Sequence, residues 1–526
     1  MSRISLSCLA ALCLLATTAA AQDRKTGSPL TPPASKPASP SKEIPVDDLE
    51  PALRRFIQVF SAVQSESADQ PDTDKILYEG AIPSMLRQLD PHTQFFDPGQ
   101  FEQLRQMESS EQKGFGSVVS VLPGRVLFLQ TLPGTPSNKV GIQAGDELVA
   151  INNVAIRSLE PEQIIQLLTE ARQHKITVFI RREGSERILQ YSLTPELVDS
   201  PSVDRAFLLG PGFGYIRIAS WDMQTARQVR DAIEKLQKPR LRGLVIDLRN
   251  NPGGVVTAAL DVASMFLQPG QTILTAKGRT SEVETASVPK NASPYGFNVS
   301  VLINEKTASA SEIFSGALQD HDRATIVGET SYGKGLVQRV MPLSGGAGLA
   351  ITTAFYYTPS GRSIQHPLRN SALSGTFGGA KPEGKTPAPV FKTDKGRIVT
   401  GGGGIQPDLR VSPAPMSRLE TVLDASGAIT SFATQYLSTH KLDSMDFKPS
   451  PELLDEFKVY LSARQIQPNL SEWSQERPWI VNRLTEEIIT QSQGVEKGDE
   501  VHAQIDPQIQ AALKAVREND AAVAQR

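Results

Sequence analysis

The stretch from Val299 to Val340, VSVLINEKTASASEIFSGALQDHDRATIVGETSYGKGLVQRV, constrains the fold of this chain more than any other. It opens on an alternating, β-branched run, VSVLIN, which predicts a strand. A short polar turn follows, and then ASEIFSGALQD, whose apolar residues fall at helical spacing. A second strand-like run, ATIVGE, leads to a glycine-flanked lysine in TSYGKG and to a third run, LVQRV. Upstream, FGYIRIAS, TARQVRDAIEKLQ, LRGLVIDLR and VVTAALDVASMFL repeat the alternation, so residues 208 to about 365 read as an α/β core. In such layers ligands gather at the carboxyl ends of the strands. NNPGG after LVIDLR and EKTASA after VSVLIN are therefore expected to be neighbours, although some 55 residues separate them.

The whole chain has 526 residues, too many for one ordinary core, and predicts an α+β multidomain protein. Residues 1–21 read as a signal peptide, with Arg3, an apolar CLAALCLLA and a small-residue site at Ala19–Ala21. The expected product is exported, periplasmic, and without a membrane span once that segment is removed. Both cysteines, Cys8 and Cys13, fall inside it, which leaves no thiolate nucleophile, thiolate metal site or disulfide in the mature chain. A net charge of -3 offers nucleic acid no overall attraction.

Residues 22–44, rich in Pro, Ser, Ala and Lys, read as a disordered linker. Residues 45–111 turn helical: Leu53, Phe56, Ile57 and Phe60 share one face, and Ile76, Ala81, Met85 and Leu89 continue the period. DPHTQFFDPGQFEQL is a turn leading into a further helix, and His92 in it reads as structural. Residues 112–195 change to short alternating runs around one helix, PEQIIQLLTEA, an arrangement suited to peptide capture by strand addition. Backbone amides near Gly114 and Gly116 would be available there for a terminal carboxylate. Arg181 and Arg182 read as a solvated strand edge or, alternatively, one of them couples this module to the core through an acidic side chain. The core spans 196–412, with a low-information insertion at 366–396 and a run, Gly401 to Gly404, that reads as a close backbone passage or a flexible turn. Residues 413–526 form a helical extension that either covers the core or serves as a dimerisation or regulatory-partner element.

Acyl transfer needs a nucleophile, a base within hydrogen-bond reach and donors for the oxyanion. The chain has neither a GxSxG elbow nor an HExxH zinc motif. His321 would lie about 18 Å along the helix from its start, too far to serve a serine there. A lysine can be the base where burial favours its neutral form. Lys334, between Gly333 and Gly335, sits in such a passage, and Gln338 is placed to orient its amine without adding charge. A serine at the helix start, Ser309 or Ser311, has free amides beside it, including that of Ala310. GETSYGKG fits part of a phosphate loop, but Gly335 stands where a Ser or Thr should bind magnesium, and a strand follows.

Two resemblances sharpen this reading. GFGSVVSV and VGIQAGDELVAINNVAI resemble the PDZ domain family, which implies that Phe115 and Gly116 belong to a loop binding a peptide terminus. TASASEIFSGALQDHDRATIVGETSYGKGLVQ, with LVIDLRNNPGG, YYTPSGRSIQ and GGGGIQPD, resembles the carboxyl-terminal processing, or tail-specific, protease family. That resemblance implies a serine endopeptidase with Ser309 as nucleophile, Lys334 as base and Gln338 as its support. It implies oxyanion donors at Ala310 and at Gly253 or Gly254, a structural Asp320, and no metal or cofactor. Thr307, where many members have serine, departs from the pattern. The implied partners are protein substrates with accessible C-terminal tails. A catalytically silent peptide-binding scaffold is the alternative.

Overall fold

The structure, a computed structural model, describes residues 46–108, 111–237, 240–279, 282–366, 389–442 and 446–524. The expected signal peptide, the linker and most of the insertion lie outside them. Among the described residues no helix is long and apolar enough to cross a membrane.

Helix α1 (Val46–Glu66) forms as its periodicity predicts, yet Leu53, Phe56 and Ile57 on its apolar face are about half exposed. Amphipathic spacing specifies a face, not what covers it. The next segment differs from expectation. Lys75–Ala81 is a π turn running into a short helix, Ile82–Leu86. The wider turn rotates the face, so that Leu86 is buried while Met85 and Leu89 are exposed. Strand β1 (Gln94–Phe96) and helix α2 (Pro98–Glu108) follow, and Asp97 caps α2 by accepting from the Gln100 amide.

β2 (Glu111–Gly114) opens the inserted module and pairs with β8 (Glu196–Asp199) at its close. Between them β3 (Ser117–Leu122), β4 (Arg125–Thr131), β5 (Glu147–Ile151), β6 (Ile176–Arg181) and β7 (Leu189–Leu193) form a sheet in that order. Helix α3 (Pro161–Ala171) buries Ile164 against it. Pro161 at its first position and a box between Glu160 and Gln163 define its start.

The core follows: β9 (Val203–Gly210), β10 (Phe213–Ile218), α4 (Thr225–Leu236), β11 (Gly243–Asp247), α5 (Val256–Ser264), β12 (Thr272–Gly278), β13 (Glu284–Ser287), β14 (Asn298–Ile303), α6 (Ala310–Asp320), β15 (Ala324–Gly328), β16 (Leu336–Pro342), β17 (Gly348–Tyr357) and β18 (Leu409–Arg410). One sheet runs β9-β10-β11-β14-β15-β18, parallel except at β9. β11 and β14 are apolar along most of their length and buried, as a sheet covered on both faces requires. Helices α4, α5 and α6 pack on one face of it. A second, antiparallel sheet runs β1-β17-β12-β13, with β16 also on β17.

The extension comprises α7 (Arg418–Ser426), α8 (Ala428–Thr439), α9 (Pro451–Ala463), α10 (Leu470–Gln493), α11 (Val495–Ala503) and α12 (Pro507–Ala524). α7 to α10 share a core of their own around Phe432, Phe457 and Leu484. α12 instead lays Ile509, Leu513 and Val516 on the other face of the parallel sheet, against Tyr215, Val245 and Leu302. So the last helix of the tail, whose role the sequence left open, covers the core, while α7 to α10 pack on one another.

Candidate active site

Three loops leave the carboxyl ends of β11, β14 and β15 and meet. The Ala308 amide donates to the carbonyl of Asn251 (3.0 Å), and Thr307 Oγ1 donates to that of Leu248 (2.8 Å). Asn250 and Asn304 bind each other, and the Tyr332 amide donates to the Thr307 carbonyl (2.9 Å). The threonine that departs from the family pattern thus ties all three loops together.

Ser309 sits just before α6, fully buried, at φ 57° and ψ -116°. A non-glycine residue held there costs about 1–3 kcal/mol and persists only where its surroundings dictate it. Here Glu312 does so. Its carboxylate, also fully buried, accepts from the amides of Ser309 (2.8 Å) and Lys334 (2.9 Å) on Oε2 and from the Gly333 amide (2.7 Å) and Ser331 Oγ on Oε1. Burial pushes the Glu312 carboxyl above its ordinary range, against the pull of these four donors. Ser311 is engaged elsewhere: its Oγ accepts from Trp221 Nε1 (2.8 Å) beneath the helix.

Lys334 is buried to 9 % exposure. Its loop is compressed between neighbours. A Cβ on Gly333, at φ 86°, would come within 2.3 Å of His366, and one on Gly404, at φ 79°, within 2.4 Å of the Ser331 carbonyl. The glycine run is therefore a close passage at Gly404. Gln338 lies on β16, opposite Thr352 of β17. Its Nε2 donates to the carbonyl of His92 (2.6 Å), while its Oε1 is buried without a hydrogen-bond partner. The expected bond from the lysine amine to this amide is not formed. His92 is instead the neighbour of both. Its imidazole titrates below the usual range, first through burial and then through the charge of Lys334.

Gly253 packs against Ser309. A Cβ there would stand 2.9 Å from Ser309 Cβ and 3.2 Å from the Ala310 nitrogen. The Gly253 amide, one of two expected oxyanion donors in that loop, donates to Asn251 Oδ1 (2.9 Å). Gly254 forms a parallel bridge to Trp221. At the opposite end of α6, Asp320 accepts from Arg362 (2.8 Å), the Ser360 amide (3.0 Å) and Thr358 Oγ1 (2.5 Å), fastening the YYTPSGRSIQ segment. His321 there contacts Asp394 and the Thr272 carbonyl, remote from Ser309.

The family model of peptidase family S41 matches residues 212–369, and that of a PDZ domain matches residues 129–182. The carboxy-terminal-processing protease of Bartonella bacilliformis is 33% identical over 317 residues, 60% of this chain and 72% of the relative. The chain belongs to the carboxyl-terminal-processing proteases. The carboxyl-terminal-processing protease of Synechocystis is 35% identical over 290 residues, 54% of this chain and 67% of its own length. Among solved structures, the photosystem II D1 C-terminal processing protease is 27% identical; the match covers 68% of this chain and 86% of that one, with a TM-score of 0.39.

In this carboxyl-terminal-processing protease one edge of β3, beside α3 in the PDZ domain, pairs with no strand among the described residues. Gly116, at φ 70°, lies so close to Thr135 that a Cβ would come within 2.2 Å of it, and its carbonyl accepts from the Leu132 amide (2.8 Å). Phe115 packs on the domain core. The alternative of an arginine coupled to the protease core is not the one the structure takes. Arg182 binds Asp146 (2.7 Å) and the Gly141 carbonyl, and Arg181 pairs with Glu147, all within the PDZ domain. An arginine close to a turn carboxylate finds it locally at less entropic cost than across a domain boundary. The domain is joined instead to the helical extension, through Arg125 to Ser431 and Gln130 Oε1 to the Val495 amide.

Sequence reasoning passed over Glu312, the role of Asn251 and the bond that ties the Asp90 turn to Gln338. Only Glu312 carried a local signal. Ser309-x-x-Glu312 is a capping box, and Ser311 has Phe314 three residues on, so the box favours Ser309 as the residue before the helix.

Proposed function

We propose that this protease is a serine endopeptidase that cuts exported proteins near their C-termini, with Ser309 as nucleophile and Lys334 as general base. The observation that carries the assignment is the grip of one buried carboxylate, Glu312, on the amides of both residues. Lys334, as the neutral amine, takes the proton of Ser309 Oγ, and the oxygen attacks the peptide carbonyl carbon. The Ala310 amide, first of α6, donates to the oxyanion that forms. The second donor to test beside it is Gly253, whose amide here donates to Asn251 Oδ1, or Gly254. The lysine ammonium then protonates the leaving amine, and the resulting amine draws a proton from the water that splits the acyl-enzyme. The PDZ domain receives a substrate tail as an added strand on β3, its carboxylate at the Phe115–Gly116 loop. The signal-like leader supports action on proteins outside the cytoplasm.

The test is hydrolysis of β-casein, an unfolded substrate, by the wild type, Ser309→Ala and Lys334→Ala. Both variants should lose cleavage while keeping the wild-type melting profile. Full activity in either would reject the dyad.

A further inference from the structure

The turn Asp90-Pro91-His92-Thr93 precedes the catalytic dyad by more than two hundred residues, yet it closes on the support of the base. Asp90 and Thr93 are buried. Asp90 Oδ1 accepts from the amides of His92 (2.7 Å) and Thr93 (2.8 Å), and its Oδ2 accepts from Thr93 Oγ1 (2.7 Å). Burial alone would raise the Asp90 carboxyl, but the hydrogen bonds from Thr93 and the His92 amide hold it below its ordinary range. Thr93 Oγ1 in turn accepts from the amide of Thr352 (3.2 Å), the residue facing Gln338 across β16 and β17. The turn is thereby fixed to the strand beside the glutamine, and β1 continues that attachment by pairing with β17. Its product is one hydrogen bond: the His92 carbonyl takes Gln338 Nε2 at 2.6 Å.

An amide side chain has one donating and one accepting end. Once the donating end is held, the accepting end has a set direction. Gln338 Oε1 is buried with no partner, which is costly unless a donor arrives during the reaction. Lys334, four residues earlier on the same segment, is close enough for its charge to act on His92. The His92 carbonyl would repel an inverted glutamine, because two carbonyl oxygens would then face each other.

We propose that the Asp90–Thr93 turn is a positioning element for the general base, holding Gln338 by its amide nitrogen so that Oε1 is presented to the Lys334 amine. This rests on the Ser309–Lys334 reading. The turn does not touch substrate; it acts through Gln338 on the orientation of the lysine.

A mutant cycle on β-casein hydrolysis tests it, with kcat and KM measured for Asp90→Ala, Asp90→Asn, Gln338→Ala and the double variant Asp90→Ala/Gln338→Ala. Asp90→Ala should lower kcat by about 10²-fold, the scale of a misplaced catalytic group, and leave KM within about twofold. Asp90→Asn, which keeps an acceptor for the two amides, should recover most of the loss. The double variant should be no slower than Gln338→Ala alone, because the turn has nothing left to orient. Should Asp90→Ala fail to fold, Thr93→Val removes the hydroxyl's bonds to Asp90 and to the Thr352 amide and takes its place in the cycle. Losses that multiply in the double variant, or a wild-type kcat in the clamp variant, would overturn the positioning role. If Ser309→Ala or Lys334→Ala keeps activity, the dyad reading falls. If both are inactive while the cycle is multiplicative, the positioning role alone falls.

Discussion

Glu312→Gln is the sharpest perturbation the site offers, since it preserves shape and changes only what the two terminal atoms accept. The carboxylate serves four donors, two on each oxygen. In the amide, one of those positions becomes a donor itself. With the NH2 toward Ser309 and Lys334, two backbone amides are stranded in a fully buried place. With the NH2 toward Gly333 and Ser331, the hydroxyl can turn, although its oxygen already accepts from the Ile405 amide (2.6 Å), and the Gly333 amide is stranded. The second arrangement is the cheaper.

One stranded buried donor costs about 1–3 kcal/mol, and the surviving bonds lose their charge assistance. Removing a carboxylate that burial disfavours returns part of this. The net expectation is a loss of about 2–4 kcal/mol, or a fall of about 5–15 °C in the melting transition of the catalytic core. Because the same bonds set Ser309 and Lys334 relative to each other, kcat should fall by about 10²-fold at a temperature where the variant is folded. Peptide affinity at the PDZ domain should be unchanged. Thermal denaturation and steady-state hydrolysis of β-casein, run on the same preparation, give both numbers. A variant with wild-type melting and wild-type kcat would refute the claim that Glu312 holds the proposed dyad together.

Asp320→Asn breaks a wholly buried pair with Arg362 and should cost about 3–5 kcal/mol in denaturant titration. Because Asp320 ends a helix that Ser309 begins, about 16 Å away, kcat per folded molecule should be retained. Gly116→Ala places a Cβ on Thr135 at a positive φ and should abolish tail-peptide binding measured by fluorescence anisotropy; wild-type affinity would remove the Phe115–Gly116 loop from the binding site. His502 carries a pH prediction. Burial lowers its pKa, but hydrogen bonds and charge from Asp506 and Glu486 prevail and raise it from 6.5 to about 9. A folded value above the unfolded one means that the stabilisation is complete below pH 6.5 and is lost as pH rises through about 9. The side chain is 44% exposed, so screening keeps the effect small. The melting-temperature advantage of the wild type over His502→Gln should shrink between pH 6.5 and 9.5, and parallel curves would exclude the linkage.

What could be read in advance follows a physical division. Helices α3 and α6 coincide with the predicted PEQIIQLLTEA and ASEIFSGALQD, because start signals and apolar spacing agree there within a dozen residues. The neighbouring of NNPGG and EKTASA was legible too, since parallel strands send their outgoing loops to one edge. The burial of α1 and of Met85 and Leu89 was not, because it depends on a partner surface and on a π turn that spacing does not reveal. Nor were the bond from the Asp90 turn to Gln338 and the role of Asn251, whose partners include residues far along the chain. Glu312 stands between these cases. As the fourth residue of a capping box it was readable, and the box alone distinguishes Ser309 from Ser311. An ordinary box asks of its glutamate only the bond to the N-cap amide, here that of Ser309, however. The other three donors come from residues 331 to 334, across the β15 loop. A motif that usually starts a helix here also sets where the lysine stands. The local half of that arrangement is written in four consecutive residues, whereas the catalytic half exists only once β14 and β15 lie side by side.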